Sequence, residues 1–306
     1  MPKLEKKSSN RVSTGHLIKY SYLSPALGNL ETSFNIFLPS HSSSPSTDST
    51  RQNDIPVLFY LAGLTCTEDA GAQKGGMLNT AGEENIAVVF PDTSPRGAGI
   101  KGEEDDWDFG TGAGFYLNAT SEEWKTHYNM YDLIVDELPK VLQEADLGLD
   151  LSRISLMGHS MGEGHGALSI YLKNPGKYRS ASAFAPVCNP SKTPWGIKAF
   201  SSYLSPSTNS DNSQEPPESW KSYDSSYLLS SSSAPNGSLH VLVDVGTADD
   251  FLKKGQLEPQ TLEEATKNRQ EGEVVVRMQE GFDHSYYFIS TFTPEHVRWH
   301  AKFLKA

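Results

Sequence analysis

The feature that most constrains the fold of this chain is the pentapeptide Gly158-His159-Ser160-Met161-Gly162. It follows a strand-like apolar run, 153–157, and precedes a run with helical spacing, 162–172. Glycines two positions before and after a serine permit a tight strand-to-helix turn that lifts the hydroxyl above a sheet. The pattern therefore predicts Ser160 as a nucleophile and the Met161 amide as a donor to the developing oxyanion. A glycine-rich turn with an incidental serine is the alternative.

The rest of the chain alternates short apolar runs with segments of helical spacing. Strands are predicted at 17–23, 32–38, 55–61, 86–90, 153–157, 239–245 and 273–278, and helices at 131–144, 162–172 and 294–304. Strands that alternate with helices indicate a mostly parallel sheet with helices on both faces. The predicted fold class is α/β, an α/β-hydrolase fold with an N-terminal antiparallel strand pair.

Length favours one large domain over 1–306. Within it, 1–14 is expected to be a flexible N-terminus. The segments 40–54 and 205–219 are rich in Ser, Asn and Pro and are expected to be mobile inserts. Both lie between patterned segments, so they are interpreted as long loops rather than linkers.

Charge and hydropathy exclude several classes of partner. The formal net charge of −12 argues against nucleic acid as a partner. The chain has neither an apolar run of about 18 residues that could span a membrane nor a secretory signal at its N-terminus. We therefore expect a cytoplasmic protein with no membrane partner. In that compartment Cys66 and Cys188 are expected to be free thiols.

The base should be one of the histidines that follow the serine, because this fold places its residues in the order serine, acid, histidine. His165 is too close to the serine in sequence, and His240 begins a strand. His296 and His300 have a spacing that could hold a metal. Since no third ligand stands out, a packed or exposed pair is favoured and no metal site is predicted. His284, in the loop after the last strand, is the predicted base.

The acid should follow the preceding strand, which ends at Gly246. Asp249 and Asp250 both lie there, and spacing alone does not decide between them. Asp244 points into the strand and is the poorer candidate. The acid would fix the tautomer of the imidazole and stabilise the imidazolium.

A second oxyanion donor should come from the loop after an early strand. Residues 62–66 leave such a strand, and we predict the Leu64 amide as this donor. The alternative is an ordinary loop around Gly63.

Several longer motifs, in order along the chain, are more specific than the pentapeptide. They are Gly63-Leu64-Thr65-Cys66-Thr67, Pro91-Asp92-Thr93-Ser94-Pro95-Arg96-Gly97, Trp107-Asp108-Phe109-Gly110-Thr111-Gly112-Ala113-Gly114-Phe115-Tyr116, Ser182-Ala183-Phe184-Ala185-Pro186, Pro194-Trp195-Gly196 and Gly281-Phe282-Asp283-His284-Ser285-Tyr286-Tyr287-Phe288. With them, the chain resembles the S-formylglutathione hydrolase family, also called esterase D. The resemblance implies a cytosolic thioesterase without cofactors that releases formate and glutathione in formaldehyde detoxification. It also implies a small-molecule substrate, activity on simple esters and a homodimer.

The resemblance also assigns residues. It implies Ser160 as nucleophile and His284 as base. It selects Asp249 as the acid, because the family's acid lies two residues before a phenylalanine, here Phe251. It further implies that Cys66 lies close to the serine. By the same resemblance Trp195 lies near the substrate. Four cations in family-like loops are candidates to pair with glutathione carboxylates: Arg96, Lys101, Lys192 and Lys198.

The chain departs from the family pattern in two places. Glu163 is an extra residue behind the pentapeptide, and one extra residue turns a following helix by about 100° unless a bulge absorbs it. The loop after Asp69 is shorter than in the family. A broad short-chain carboxylesterase is the competing enzyme hypothesis. The two departures favour an alternative of another class, an impaired homologue that acts as a binding protein.

Overall fold

The structure is a computed structural model that describes residues 2–40, 54–204, 215–230, 239–267 and 273–306, without the side chains of 163–165. Most of the predicted inserts at 40–54 and 205–219 lies outside the described residues.

Nine strands form one sheet in the described part of the chain. They are β1 (Glu5–Val12), β2 (Gly15–Ser24), β3 (Leu30–Pro39), β4 (Ile55–Leu61), β5 (Ala87–Pro91), β6 (Leu149–His159), β7 (Ala181–Phe184), β8 (His240–Gly246) and β9 (Glu273–Gln279). Their order is β1-β2-β3-β5-β4-β6-β7-β8-β9. β1, β2, β3 and β5 pair antiparallel, and all pairings from β5 through β4 to β9 are parallel.

Helices surround this sheet. They are α1 (Glu68–Lys74), α2 (Leu78–Glu83), α3 (Met130–Asp132), α4 (Leu138–Glu144), α5 (Leu168–Lys173), α6 (Pro194–Tyr203), α7 (Glu218–Lys221), α8 (Ser225–Ser230), α9 (Asp250–Lys253), α10 (Gln260–Thr266) and α11 (Tyr286–Leu304). Two π-helical segments, Leu133–Glu137 and Gly162–Ala167, precede α4 and α5. Every residue of β4, β5 and β7 is buried, so these strands are covered on both faces. The predicted α/β-hydrolase fold is confirmed.

The N-terminus differs from its prediction as a flexible segment over 1–14. Residues 5–12 form β1, which pairs antiparallel with β2 from Glu5 opposite Ser21 to Val12 opposite Gly15. Nearly all residues of β1 are exposed. An exposed edge strand has no need for alternating apolar residues, because the backbone hydrogen bonds to its neighbour hold it. The sequence therefore contains no apolar pattern that would indicate it.

The last helix begins earlier than predicted, at Tyr286 rather than Pro294. Ser285 caps it, since its hydroxyl accepts the N–H of Tyr287 at 3.2 Å. A proline inside a helix removes one backbone hydrogen bond. The helix continues through it because the first turns bury apolar side chains such as that of Phe288 against the sheet. Within the described residues, none of the helices combines the length and apolar character that crossing a bilayer requires.

Candidate active site at the carboxyl edge of the sheet

Ser160 follows β6 in a left-handed backbone conformation. Its φ angle is 58°, in a region that costs a residue other than glycine roughly 1–3 kcal/mol. Its N–H donates to the carbonyl of Phe184 in β7 at 3.0 Å. Gly162 has to lack a side chain, because a Cβ there would lie 2.1 Å from the carbonyl oxygen of Leu61 in β4. The two neighbouring strands therefore fix the turn that lifts the serine from the sheet.

The helix behind this turn opens with the π-helical segment Gly162–Ala167. A π-turn closes its hydrogen bonds one residue later than an α-turn, so it takes up one extra residue. It is the bulge that an additional residue at Glu163 requires. α5 follows it, with Leu168 and Ile170 buried. An added residue at Glu163, which the resemblance implies, would thus be absorbed before α5 begins.

His284 and Asp249 meet in the loops that follow β9 and β8. The distance between His284 Nδ1 and Asp249 Oδ2 is 2.6 Å, and Asp249 is fully buried. The other oxygen, Asp249 Oδ1, accepts the backbone N–H groups of Phe251 at 2.7 Å and Leu252 at 3.3 Å, which caps α9. The side chain of Asp250 is 77% exposed and pairs with a lysine of α9. The structure brings Asp249, and not Asp250, to His284.

Backbone contacts hold these two loops together beyond the ends of their strands. Thr247 N–H donates to the carbonyl of Gln279 at 3.0 Å, and Ala248 N–H donates to that of Phe282 at 2.9 Å. A Cβ on Gly246 would lie 2.2 Å from the Phe282 carbonyl oxygen, so the loops approach at a distance that only glycine permits. The positions of the carboxylate and the imidazole are therefore set by one continuous backbone arrangement.

Leu64 lies in a tight turn beside Ser160. The N–H of Cys66 donates to the carbonyl of Gly63 at 3.3 Å, and Thr65 at the corner has a φ of 63°. A Cβ on Gly63 would lie 3.0 Å from the Cβ of Ser160. The N–H of Thr65 donates to the carbonyl of Gly112 in another loop at 2.9 Å, so neither this bond nor that of Cys66 engages the Leu64 amide.

The second predicted donor, the amide of Met161, belongs to the first turn of the helix behind Ser160. The first N–H groups of a helix have no acceptor within the helix. The turn that contains Leu64 and the helix start at Met161 both adjoin Ser160, and the roles of the two amides as oxyanion donors stay predictions.

The Pro91–Gly97 motif supports the Leu64 turn from behind. The carbonyl of Cys66 accepts the Thr93 hydroxyl at 2.6 Å and Arg96 Nη2 at 3.1 Å. Arg96 also binds both oxygens of Asp92, at 2.7 Å and 2.8 Å. These bonds raise the pKa of Arg96 above its ordinary value. Arg96 is therefore engaged within the protein, where it holds the turn. This corrects the prediction that it pairs with the carboxylates of glutathione.

A second predicted glutathione contact, Lys198, is also engaged within the protein. Its Nζ lies 2.5 Å from Asp108 Oδ1 and 2.9 Å from Asp106 Oδ2. Two carboxylates already neutralise this ammonium, so it offers little attraction to an anionic ligand.

Aromatic rings continue outward from the base. The Phe251 ring lies 4.7 Å from the His284 ring, and the Trp195 ring lies 4.6 Å from Phe251, between ring centroids. Trp107 lies 5.8 Å from Trp195 and is 56% exposed. Trp195 is therefore near the candidate site, but Phe251 lies between it and the base.

His159 and Tyr286 are neighbours of the base that the sequence analysis did not single out. The His159 ring lies 4.8 Å from that of His284 and 5.8 Å from that of Tyr286. Burial, and then the charge on His284, lower the pKa of His159 well below its ordinary value, so this ring is neutral at neutral pH. Their places in the pentapeptide and in the Gly281–Phe288 motif are the signals that could have indicated them.

The predicted position of Cys66 near the serine agrees with its contacts. Cys66 Sγ lies 3.8 Å from the hydroxyl of Tyr286, and the Cys66 carbonyl belongs to the turn beside Ser160. Burial raises the pKa of the Cys66 thiol, so it is protonated at neutral pH. Cys66 and Cys188 are both free, as predicted.

No three His, Cys, Asp or Glu side chains converge as metal ligands among the residues that the structure describes. His296 and His300 are both fully buried, and each is hydrogen-bonded to the hydroxyl of Ser182. They form the packed pair that was favoured over a metal site.

Comparison with known proteins gives one family and several close relatives. The family model described as "Putative esterase" matches residues 24–305. The S-formylglutathione hydrolase of Rattus norvegicus is 50% identical over 273 residues, which cover 89% of each chain. That of Arabidopsis thaliana is 44% identical over 297 residues, 97% of this chain and 96% of the relative. The solved structure of an S-formylglutathione hydrolase from Agrobacterium tumefaciens is 40% identical. It matches with a TM-score of 0.84 and covers 98% of this chain and 99% of that chain.

Proposed function

The chain belongs to the putative esterase family, and from that premise we propose that it is a serine thioesterase that hydrolyses S-formylglutathione in formaldehyde detoxification. The observation that carries the proposal is the contact of 2.6 Å between His284 Nδ1 and Asp249 Oδ2, in the loops next to the strained turn at Ser160. The reaction yields formate and glutathione.

The proposed first step is attack by the Ser160 hydroxyl on the formyl carbon. Asp249 accepts a hydrogen bond from the Nδ1–H of His284, which leaves Nε2 free to take the proton of the serine. The negative charge of the tetrahedral intermediate falls on the former carbonyl oxygen. The amides of Leu64 and Met161 donate to it, at roughly 3–4 kcal/mol for a well-placed donor.

The intermediate collapses with release of the glutathione sulfur, and a formyl ester remains on Ser160. A thiol has an ordinary pKa of about 8.5, so it leaves more readily than an amine and needs less help from an acid. His284 then deprotonates a water molecule, which attacks the ester and releases formate. A formyl group needs almost no acyl pocket, so the site tolerates bulky neighbours such as the rings of His159 and Phe251.

The test compares kcat/KM for S-formylglutathione with that for p-nitrophenyl acetate, with Ser160→Ala as the inactive control. We expect the thioester to be preferred. A preference for the simple ester would favour the broad short-chain carboxylesterase. Absence of labelling by a fluorophosphonate probe at Ser160 would instead favour the binding protein without catalysis.

The proposal extends to location and assembly. The resemblance implies a cytoplasmic, homodimeric enzyme with a small-molecule substrate, and the net charge of −12 argues against a nucleic-acid partner. Light scattering coupled to size-exclusion chromatography tests the dimer, since a monomer at micromolar concentration would contradict it.

A further inference from the structure

The carboxylate of Asp244, a poor candidate for the acid, is the centre of a buried polar cluster. Asp244 lies in β8 and is fully buried. Arg277 of β9 binds both its oxygens, with Nε at 2.6 Å and Nη2 at 2.7 Å. His296 of α11 places Nε2 at 3.2 Å from Asp244 Oδ2. Burial alone would raise the pKa of Asp244, but the bonds from His296 and Arg277 outweigh it and hold the pKa below its ordinary value.

The three elements that meet at Asp244 are those that carry the proposed acid and base. β8 leads directly into the loop of Asp249, and β9 leads into the loop of His284. α11 begins immediately after His284. Asp244 and Arg277 also lie opposite each other in the β8–β9 register. One carboxylate therefore joins both strands before the site and the helix behind it.

The hydrogen bonds of this cluster have a single direction. An ionised Asp244 only accepts, so His296 carries its proton on Nε2 and accepts at Nδ1 from the Ser182 hydroxyl at 2.9 Å. Ser182 in turn accepts from His300 Nε2 at 2.8 Å, and His300 Nδ1 accepts from the Ser180 hydroxyl at 2.7 Å. Every proton along the chain of bonds points toward Asp244. Loss of its charge would remove what fixes the tautomer of both histidines.

The cluster also reaches the turn at Ser160. The ring of His296 stacks on that of Phe184, with centroids 4.1 Å apart and planes 24° from parallel. The carbonyl of Phe184 accepts the N–H of Ser160 at 3.0 Å. A shift of α11 is thereby transmitted to the strand end that holds the serine.

We propose that Asp244 and Arg277 are positioning residues, which hold β8, β9 and α11 together so that Asp249, His284 and Ser160 keep their relative places. The inference rests on the proposed function, since it concerns the same site. A misplacement of reacting groups by about 1 Å costs roughly 100-fold in rate. Neither residue needs to touch the substrate for such an effect.

The experiment compares three variants in the full-length protein. Asp244→Asn keeps the size of the buried side chain but removes its charge. Arg277→Lys keeps a charge but loses the fork that spans both oxygens. Glu295→Gln is the matched control, because Glu295 contacts Arg277 at 2.5 Å from the exposed side and does not contact Asp244. Active sites are titrated with a fluorophosphonate, so that kcat refers to folded enzyme only.

We expect Asp244→Asn to lower kcat for S-formylglutathione by roughly 10- to 100-fold with little change in KM. The kcat of Arg277→Lys should lie between that of Asp244→Asn and that of wild type, and the kcat of Glu295→Gln should equal that of wild type. The rate of fluorophosphonate labelling should fall in parallel, together with loss or broadening of the low-field proton NMR signal of the Asp249–His284 bond.

Each contrary outcome has a distinct meaning. A wild-type protein that labels with the probe but does not turn over S-formylglutathione contradicts the proposed function, and the labelling rates still test the positioning. A titrated Asp244→Asn protein with wild-type kcat, labelling rate and NMR signal overturns the positioning role, even if its melting temperature is lower. In that case Asp244 and Arg277 contribute only to stability.

Discussion

Two groups of a serine, a histidine and an aspartate can be compared within the described residues of the chain. They are Ser160, His284 and Asp249 at the carboxyl edge of the sheet, and Ser182, His296 and Asp244 in its core. The residue types are the same, but the surroundings differ in three ways. Those differences show what a catalytic arrangement needs beyond its residues.

The first difference is the ring nitrogen that the aspartate contacts. At the edge, Asp249 lies 2.6 Å from Nδ1 of His284, which leaves Nε2 for a serine or a water molecule. In the core, Asp244 is hydrogen-bonded to Nε2 of His296, and Ser182 is hydrogen-bonded to Nδ1 of the same ring. Both nitrogens of the core histidine are therefore occupied by the protein.

The second difference is charge. Asp249 accepts two backbone amides and contacts the imidazole, so in the proposed mechanism its charge would stabilise an imidazolium. Asp244 is neutralised by Arg277 through two hydrogen bonds. Burial lowers the pKa of His296 in spite of the neighbouring carboxylate. The core histidine is kept neutral and cannot act as a base.

The third difference is the backbone of the serine. Ser182 belongs to the regular strand β7, whereas Ser160 has a φ of 58° on a turn between strand and helix. Ser160 differs from the packed hydroxyl of Ser182 in its strained backbone and in its position at the edge of the sheet. These two features make Ser160 the candidate nucleophile. The following predictions test this contrast, from the largest expected effect to the smallest.

Ser160→Ala should remove nearly all activity. Loss of the nucleophile in a serine hydrolase lowers kcat by about 10⁶-fold, because the remaining groups act only with it. Hydrolysis of S-formylglutathione and fluorophosphonate labelling measure the effect. If labelling persisted in this variant and disappeared in Ser182→Ala, the roles of the two groups would be reversed.

Asp249→Asn should lower kcat by about 10⁴-fold, since the amide no longer holds the imidazole in the required tautomer. Its matched control is Asp250→Asn, next to it in sequence but exposed and paired with Lys253 at 3.1 Å. The control should retain wild-type kcat. Equal losses in the two variants would contradict the assignment of Asp249.

Acid should destabilise the core through its buried histidines. Burial lowers the pKa of His296. Burial, and the repulsion that a second imidazolium beside His296 would meet, hold the pKa of His300 well below its ordinary value. Below about pH 6.5 the unfolded chain therefore binds protons that the folded core excludes. The free energy of unfolding should then fall, by up to about 1.4 kcal/mol per pH unit for each histidine. Above that pH both states are neutral and the stabilisation is complete.

Urea unfolding at a series of pH values from neutral to mildly acidic measures this slope. His300→Gln should reduce the slope, and His16→Gln, at an exposed position in β2, serves as the control that should not. A slope that is the same in His300→Gln as in wild type would show that the core histidine does not exclude the proton.

Ser182→Ala should give the smallest effect on catalysis. It leaves Nδ1 of His296 without its donor at 2.9 Å, which should lower the free energy of unfolding by about 1–3 kcal/mol. The kcat of the folded protein should stay close to wild type. Urea unfolding and titrated kcat are measured on the same sample, and a large loss of kcat would give Ser182 a part in the site.

Local patterns were sufficient to indicate much of the edge site. The pentapeptide marks Ser160 because the strained turn needs glycines at fixed positions, and chain order then selects His284. The structure brings these residues and Asp249 into neighbouring loops, and their catalytic roles stay predictions. Spacing did not separate Asp249 from Asp250, because the side chains of adjacent loop residues point in different directions. Those directions depend on the backbone conformation of the loop, which the sequence pattern does not give.

The core group could not be predicted in this way. Ser182, Asp244 and His296 come from β7, β8 and α11, and their partner Arg277 comes from β9. In the sequence each looks like an isolated polar residue in an apolar run. β7 itself, Ala181–Phe184, was not among the predicted strands, because four small or apolar residues are too short for a period to be recognised. Pairing across the sheet, rather than any local pattern, creates the contacts of Asp244.

The π-helical segment Gly162–Ala167 has a consequence for how such a gene can change. Insertions and deletions are normally tolerated in surface loops, where a change in length disturbs little packing. A turn of this width can take up one added residue directly behind the proposed nucleophile and still deliver α5 to the sheet. Length variation among chains with such a turn would therefore not have to be confined to loops. An alignment that forces its gap into a neighbouring loop would assign the wrong partners to the residues that line the turn.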